Sequence, residues 1–200
     1  MTVDVQYTSH RERVLHDRHL AGASAAGDRP RTRRRAAQVP SPYSINGQAP
    51  YMDWRLIDQL RGFTKVPLLL KGILTAEDAL LAVERGVDGI VVSNHGGRYL
   101  DYAPSSLEVL PEIVDAVKGR MPVLIDSGFR RGSDILKALA LGAKAVCLGR
   151  VPRWGLGAYG AQGVQRVLEI LQNELALAMA QAGRPTLDGL DRTAVRTHFS

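Results

Sequence analysis

An imidazole and a guanidinium stand three positions apart in Ser93-Asn94-His95-Gly96-Gly97-Arg98, directly after the apolar run Gly89-Ile90-Val91-Val92. A neutral imidazole can take a proton from a substrate, and a guanidinium beside it can grip a carboxylate with two parallel hydrogen bonds. Delivered from the end of one short buried strand, His95 and Arg98 suit chemistry on a small acid. Lys71 closes the nearly all-apolar Pro67-Leu68-Leu69-Leu70. A buried unpaired ammonium is costly, so Lys71 must reach an internal anion or the mouth of a site; a place beside an electron-rich cofactor ring is favoured over snorkelling. Two further words close apolar runs, Asp126-Ser127-Gly128-Phe129-Arg130-Arg131-Gly132 and Gly149-Arg150. Glycine lets backbone amides approach a phosphate and arginine supplies a forked donor, so their recurrence at consecutive strand ends points to a phosphate site.

The elements that must carry these residues follow from periodicity. β-Branched runs at Val66–Lys71, Gly89–Ser93, Pro122–Asp126 and Ala145–Leu148 alternate with helical spacing over Ala76–Arg85, Ser105–Val117 and Asp134–Leu141. Thr75 with Asp78, and Ser133 before Asp134, are expected as N-caps, with Gly86 and Gly142 at helix C-termini. Strand ends recur every 22 to 33 residues, one strand and one helix per unit, and the polar residues gather at the strands' C-terminal ends. This is a barrel-like rhythm of parallel βα units. A doubly wound sheet satisfies the same pattern, but no Gly-x-Gly-x-x-Gly turn follows a strand. Ala158–Ala182 reads as one long amphipathic helix whose Val164, Val167, Leu168, Leu171, Leu175 and Met179 form a core stripe.

Composition bounds the rest. With 200 residues and 45% apolar content the chain suits one soluble domain. No apolar run approaches the roughly 20 residues of a membrane span, and Met1-Thr2-Val3-Asp4 does not open a signal peptide, which makes the cytoplasm the expected compartment. Cys147 is the only cysteine, so disulfides and thiolate metal sites within one chain are excluded, no metal is expected, and a buried apolar role is expected for it. Of the +6 net charge, residues 1–50 contribute +4, from eight Arg, no Lys and four acids. The excess centres on Arg29-Pro30-Arg31-Thr32-Arg33-Arg34-Arg35, where no aromatics interleave. A solvated loop is expected there and no nucleic-acid partner.

These words resemble the FMN-dependent α-hydroxy-acid oxidases and dehydrogenases, the family of glycolate oxidase, lactate oxidase and mandelate dehydrogenase. The matching residues are Leu70-Lys71-Gly72-Ile73, Val92 through Arg98, Val123 through Gly132, Lys137 through Ala143 and Leu148-Gly149-Arg150. The resemblance runs from about Trp54 to Ala182, and its Ile125-Asp126-Ser127-Gly128-Phe129-Arg130-Arg131-Gly132 wording looks closest to the mandelate dehydrogenase branch. A shorter match, Thr2-Val3-Asp4 followed by Arg11-Glu12-Arg13, resembles the family's fourth strand and the pattern after it. The sequence departs from the family at Tyr99 (usually Gln), Ser127 (commonly Gly) and Val151-Pro152-Arg153, where Pro usually follows Arg150 directly.

The resemblance implies an α/β fold, a partial (β/α)8 TIM barrel of about strands 4–8 with parallel strands. Residues 1–13 would hold strand 4 and the start of an active-site loop, 14–50 a mobile Arg-rich loop, 51–183 the C-terminal part of the barrel and 184–200 a tail. It implies FMN as cofactor. Thr2, Lys71, Ser93, Asp126, Ser127, Gly128, Phe129, Arg130, Gly149 and Arg150 would contact it, with Lys71 at the pyrimidine edge and Asp126 through Arg130 at the ribityl chain and phosphate. His95 would be the general base oriented by Asp4, and Arg98 and Arg11 would anchor the substrate carboxylate. The implied reaction oxidises an L-2-hydroxy acid of the lactate, mandelate or glycolate class to the 2-oxo acid. The electron acceptor, oxygen or a quinone, stays open, as does peripheral attachment to the inner membrane. An inactive, truncated partial barrel that binds phosphate or FMN weakly is the alternative, and open barrel edges imply self-association or a homo-oligomer.

Overall fold

The computed structural model describes residues 1–4 and 53–197. Arg11, the arginine run 29–35 and the expected loop 14–50 lie outside the described residues. Within them the chain alternates helix and strand: α1 (Arg55–Phe63), β1 (Leu69–Ile73), α2 (Ala76–Glu84), β2 (Gly89–Val92), α3 (Ser106–Val117), β3 (Val123–Ile125), α4 (Gly132–Ala140), β4 (Ala145–Val146) and α5 (Arg150–Gln181). All strand pairs are parallel, in the order β1-β2-β3-β4. On the outer side of β1, Thr2 forms one more parallel bridge, to Lys71. Lys71 N donates to Met1 O and Val3 N donates to Lys71 O, each at 2.8 Å. Five parallel segments thus follow chain order with no point at which the order reverses. That is the arrangement of consecutive barrel staves and not of a doubly wound sheet, so the fold is α/β and part of a TIM barrel.

β2 is buried at every position, as a parallel strand covered on both faces must be. Ile90, Val92, Ile125, Leu110 and Ile113 are at or near zero exposure; each such side chain contributes about 1.5–3 kcal/mol by leaving water. Thr75 caps α2, its hydroxyl accepting from Asp78 N at 3.2 Å, and Ser105 closes a reciprocal box with Glu108 on α3. Gly86 and Gly142 follow α2 and α4 with positive φ, as their place in sequence predicts. The residues after α5 fold back on the body: Arg192 donates to both carboxylate oxygens of Asp115, at 3.0 and 2.7 Å.

Several boundaries move. β1 begins three residues later than expected, because Pro67 has no N–H and Leu68 N is taken by Asp88 Oδ2 at 2.6 Å. It then continues to Ile73, so Lys71 is its middle residue and not its last. β4 stops at Val146. Ser133 is not a cap; α4 starts at Gly132, and Asp134 Oδ2 accepts from both Arg130 N and Arg131 N at 3.0 Å. The last helix starts eight residues early and breaks at Tyr159 and Gly160 (φ 61°). The break folds it so that a Cβ on Gly155 would lie 2.4 Å from Gly163 O, and one on Gly163 would lie 2.0 Å from Gly155 O. The glycines of Gly155-Leu156-Gly157-Ala158-Tyr159-Gly160 therefore lie within this broken helix. In the expected stripe Leu171 and Met179 are buried, but Leu168 is exposed, because its side chain falls outside the face packed on α4. Cys147 is half-buried at the sheet's C-terminal end and not in the core.

At the opposite end of the sheet Asp88 ties three elements together. It accepts from Leu68 N and pairs with Arg61 of α1, which also donates to Gly86 O at 2.8 Å. The Leu68 amide first, and the Arg61 guanidinium second, hold its carboxyl below the usual range. A lowered folded-state value stabilises the fold above the unfolded value, about 3.9, and that stabilisation disappears as pH falls through the folded value. Asp88→Asn should lower the thermal midpoint at pH 7 by a few degrees, and that difference should shrink as pH falls below the ordinary carboxylate range; melting curves over a series of acid pH values check it.

Candidate active site

The C-terminal ends of the strands open into a cleft of about 510 Å³, within the range of about 300–1,000 Å³ typical of small-molecule sites. The bulge at Gly72 admits Asp4: Gly72 has φ 111°, and a Cβ there would lie 2.6 Å from Asp4 Cβ. Asp4 is thereby seated against β1 with both carboxylate oxygens 3.3 Å from His95 Nδ1. Its Oδ2 is buried with no hydrogen-bond partner among the described residues. A carboxylate so placed fixes Nδ1 as the protonated nitrogen and leaves Nε2 as the basic one. The Tyr99 ring meets the imidazole edge to face, centroids 4.8 Å apart.

His95, Gly96 and Gly97 have φ of 56°, 72° and 68°, a left-handed turn that a histidine adopts only under constraint. The constraints are side chains. His95 N donates to Ser93 Oγ at 3.1 Å. Gly96 N donates to Ser127 Oγ at 3.0 Å and to Asn94 Oδ1 at 3.1 Å, and Gly97 N donates to the same Asn94 oxygen at 3.1 Å. Arg150 Nη2 donates to Gly96 O at 3.3 Å.

Lys71 finds the internal anion that its burial requires. Nζ donates to Ser93 Oγ at 2.8 Å and lies 3.1 Å from Asp126 Oδ2. Asp126 Oδ1 accepts from Ser127 Oγ at 2.8 Å. The Cys147 thiol is pushed up, by burial first and by Asp126 second, with Lys71 partly opposing; it is neutral at pH 7 and no nucleophile.

In the same cleft, Gly128 has φ 94° and open space where a Cβ would stand, and Gly149, also open, precedes the N-terminus of α5 without a side-chain cap. Arg130 lies beside them over the Trp154 ring at 5.6 Å. Arg98 lines the same cleft with no hydrogen bond or ion pair to any described residue. The uncapped amides, with Arg98 and Arg130, which have no ion pair among the described residues, form an anion cradle.

The structure thus brings Asp4, Lys71, Ser93, His95, Asp126 and Ser127 into one hydrogen-bonded cluster, with Arg98, Gly128, Arg130, Gly149 and Arg150 around the cleft. Thr2 sits beside Lys71 through its bridge. Two residues expected to contact the cofactor have side chains engaged within the fold. Ser93 is fully buried and its hydroxyl is spent on Lys71 and His95. The Phe129 side chain belongs to the core, leaving only its backbone for the cradle. Sequence reasoning missed Asn94, although Asn before two glycines is a turn signal, and Ser106, whose hydroxyl donates to Asp126 O at 2.5 Å and had no local signal.

Comparison with known proteins identifies the family and the fold. The model of the family described as FMN-dependent dehydrogenase matches residues 1–197. A peroxisomal (S)-2-hydroxyacid oxidase of Arabidopsis thaliana is 58% identical over 146 residues, 73% of this chain and 40% of the relative. An L-lactate oxidase of Lysinibacillus sphaericus is 52% identical over 141 residues, 70% of this chain and 36% of the relative. A crystal structure of mandelate oxidase superposes with a TM-score of 0.78 at 41% identity, over 96% of this chain and 53% of that one. The chain spans about 40% of the length of the curated relatives that it matches.

Proposed function

The chain belongs to the FMN-dependent dehydrogenase family, and from that membership we propose that its cleft binds FMN and oxidises an L-2-hydroxy acid to the 2-oxo acid. The observation that carries the reading is His95 Nδ1 held by the partly buried Asp4 carboxylate, with His95 lining a cleft that also contains an anion cradle. The donor set fits the cofactor. Arg130, Arg150 and the amides at Gly128 and Gly149 would hold the phosphate. Lys71 would face the electron-rich edge of the ring, which a cation stabilises, and Thr2 adjoins it. When bound, FMN supplies the two-electron acceptor.

The chain's own residues do the rest. Arg98 grips the substrate carboxylate and orients the hydroxy acid; Arg11, proposed to share that task, lies outside the described residues. His95 Nε2 takes a proton from the substrate, and the Asp4 carboxylate stabilises the imidazolium that results. Relatives named for (S)-2-hydroxyacids and L-lactate, and a fold neighbour named for mandelate, support the class of acid.

The test is the visible spectrum of the purified chain after incubation with FMN and desalting, then after anaerobic addition of L-lactate or L-mandelate. Retained flavin that bleaches supports the reading, and no retained flavin overturns it for this chain. Arg150→Ala should weaken FMN binding by about ten- to a hundredfold, one charge-assisted hydrogen bond being worth roughly 1.5–3 kcal/mol, and should affect riboflavin binding far less. Titration of flavin fluorescence checks this.

A further inference from the structure

We infer that Ser127 is a positioning residue whose hydroxyl holds the catalytic turn against the Lys71–Asp126 pair. The inference rests on the function proposed above and deepens it. Ser127 has φ 81°, a region in which a side chain is strained and glycine is at ease. A serine kept there at that cost has something to do, and its hydrogen bonds show what. Its hydroxyl donates to Asp126 Oδ1 at 2.8 Å and accepts from Gly96 N at 3.0 Å. A hydroxyl has one proton, and here it goes to a carboxylate; the same oxygen is left to receive the amide of the residue after His95.

This closes a ring. Lys71 Nζ reaches Asp126 on one side and Ser93 Oγ on the other; Ser93 Oγ receives His95 N, and Ser127 Oγ receives Gly96 N. Both amides that set the direction of the imidazole are therefore tied, through two hydroxyls, to one lysine–carboxylate pair. Asn94 shares the Gly96 amide and donates to Pro104 O at 3.1 Å, which ties the turn to the start of α3 and not to β3. Ser127, 31 residues away, is the connection that fixes the turn relative to β3 and hence to the cleft.

Two variants separate positioning from folding. Ser127→Gly removes the hydroxyl and relieves the backbone, whereas Ser127→Ala removes the hydroxyl and keeps the strain. In the chain without FMN, amide exchange at Gly96 should quicken by about tenfold in both, the size expected for one net hydrogen bond, while the Ser127→Gly melting midpoint stays within a few degrees of wild type. In the FMN-loaded chain, flavin reduction at saturating hydroxy acid should slow by about tenfold with KM and FMN affinity unchanged. Unchanged Gly96 exchange in both variants overturns the inference. So does a loss of FMN affinity without a change in exchange, which would make the hydroxyl a cofactor contact. A wild-type chain that retains no flavin defeats the proposed function, yet the Gly96 exchange still decides whether Ser127 holds the turn.

Discussion

Replacing His95 by Gln should slow flavin reduction by a 2-hydroxy acid by about 10²- to 10⁴-fold, the usual contribution of a positioned general base, with FMN retention unchanged. Glutamine keeps a polar side chain of similar reach but has no basic nitrogen. The turn is held by its own backbone amides through Ser93, Asn94 and Ser127, so the loss is chemical and the fold remains. The anion cradle does not involve the imidazole. Asp4→Asn should act in the same direction: the amide oxygen can still accept from Nδ1–H at this 3.3 Å position, but the neutral side chain no longer stabilises the imidazolium. Stopped-flow reduction of the loaded chain measures both. A His95→Gln rate within threefold of wild type would remove His95 as the base.

Gly132→Ala should destabilise the chain by about 3 kcal/mol, the upper range for forcing a methyl group into packed space, and should open the cradle at the same time. A Cβ on Gly132 would lie 2.1 Å from Leu175 N and 2.2 Å from Glu174 C. Those are backbone atoms of α5, which cannot rotate aside as a side chain can. Gly132 N also donates to Glu174 Oε2 at 2.9 Å, and Arg131 pairs with the same carboxylate at 2.8 Å. Two helices must therefore separate, and the Asp126–Arg130 segment that leads into α4 moves with them. The expected readout is a lowered urea midpoint together with weaker FMN binding; a midpoint equal to wild type would show that α5 yields at no cost.

The elements that were legible in the sequence are those whose residues answer to local rules. Gly89–Val92 is an unbroken apolar run, Thr75 caps toward Asp78, and Gly86 and Gly142 end their helices, so β2, α2 and α4 could be placed from neighbours alone. The site residues His95, Arg98, Lys71 and Asp126 were visible because each interrupts or ends apolar chain where burial would otherwise be costly. What stayed hidden depends on partners far away in sequence. Nothing near Ser127 announces that its hydroxyl meets Gly96, and nothing near Ser106 announces Asp126. The break at Tyr159–Gly160 was masked because it precedes the apolar stripe, which begins at Val164, and the early start of α5 because Gly-rich sequence argues against helix. The start of β1 was misread because Val66 has strand propensity, whereas Pro67 and the Asp88 bond to Leu68 set the boundary.

The pairing of Asp4 with His95 joins residues 91 positions apart, and the segment that carries Asp4 is held to β1 through one bridge. Contacts of such long sequence separation close a large loop and form late, after the local βα units have assembled. The same pairing is among the first to open when the native state fluctuates, because few backbone bonds must break to free it. Competence for chemistry and possession of the sheet are therefore two separate events in the life of this chain: the sheet can be complete while His95 still lacks the carboxylate that orients it.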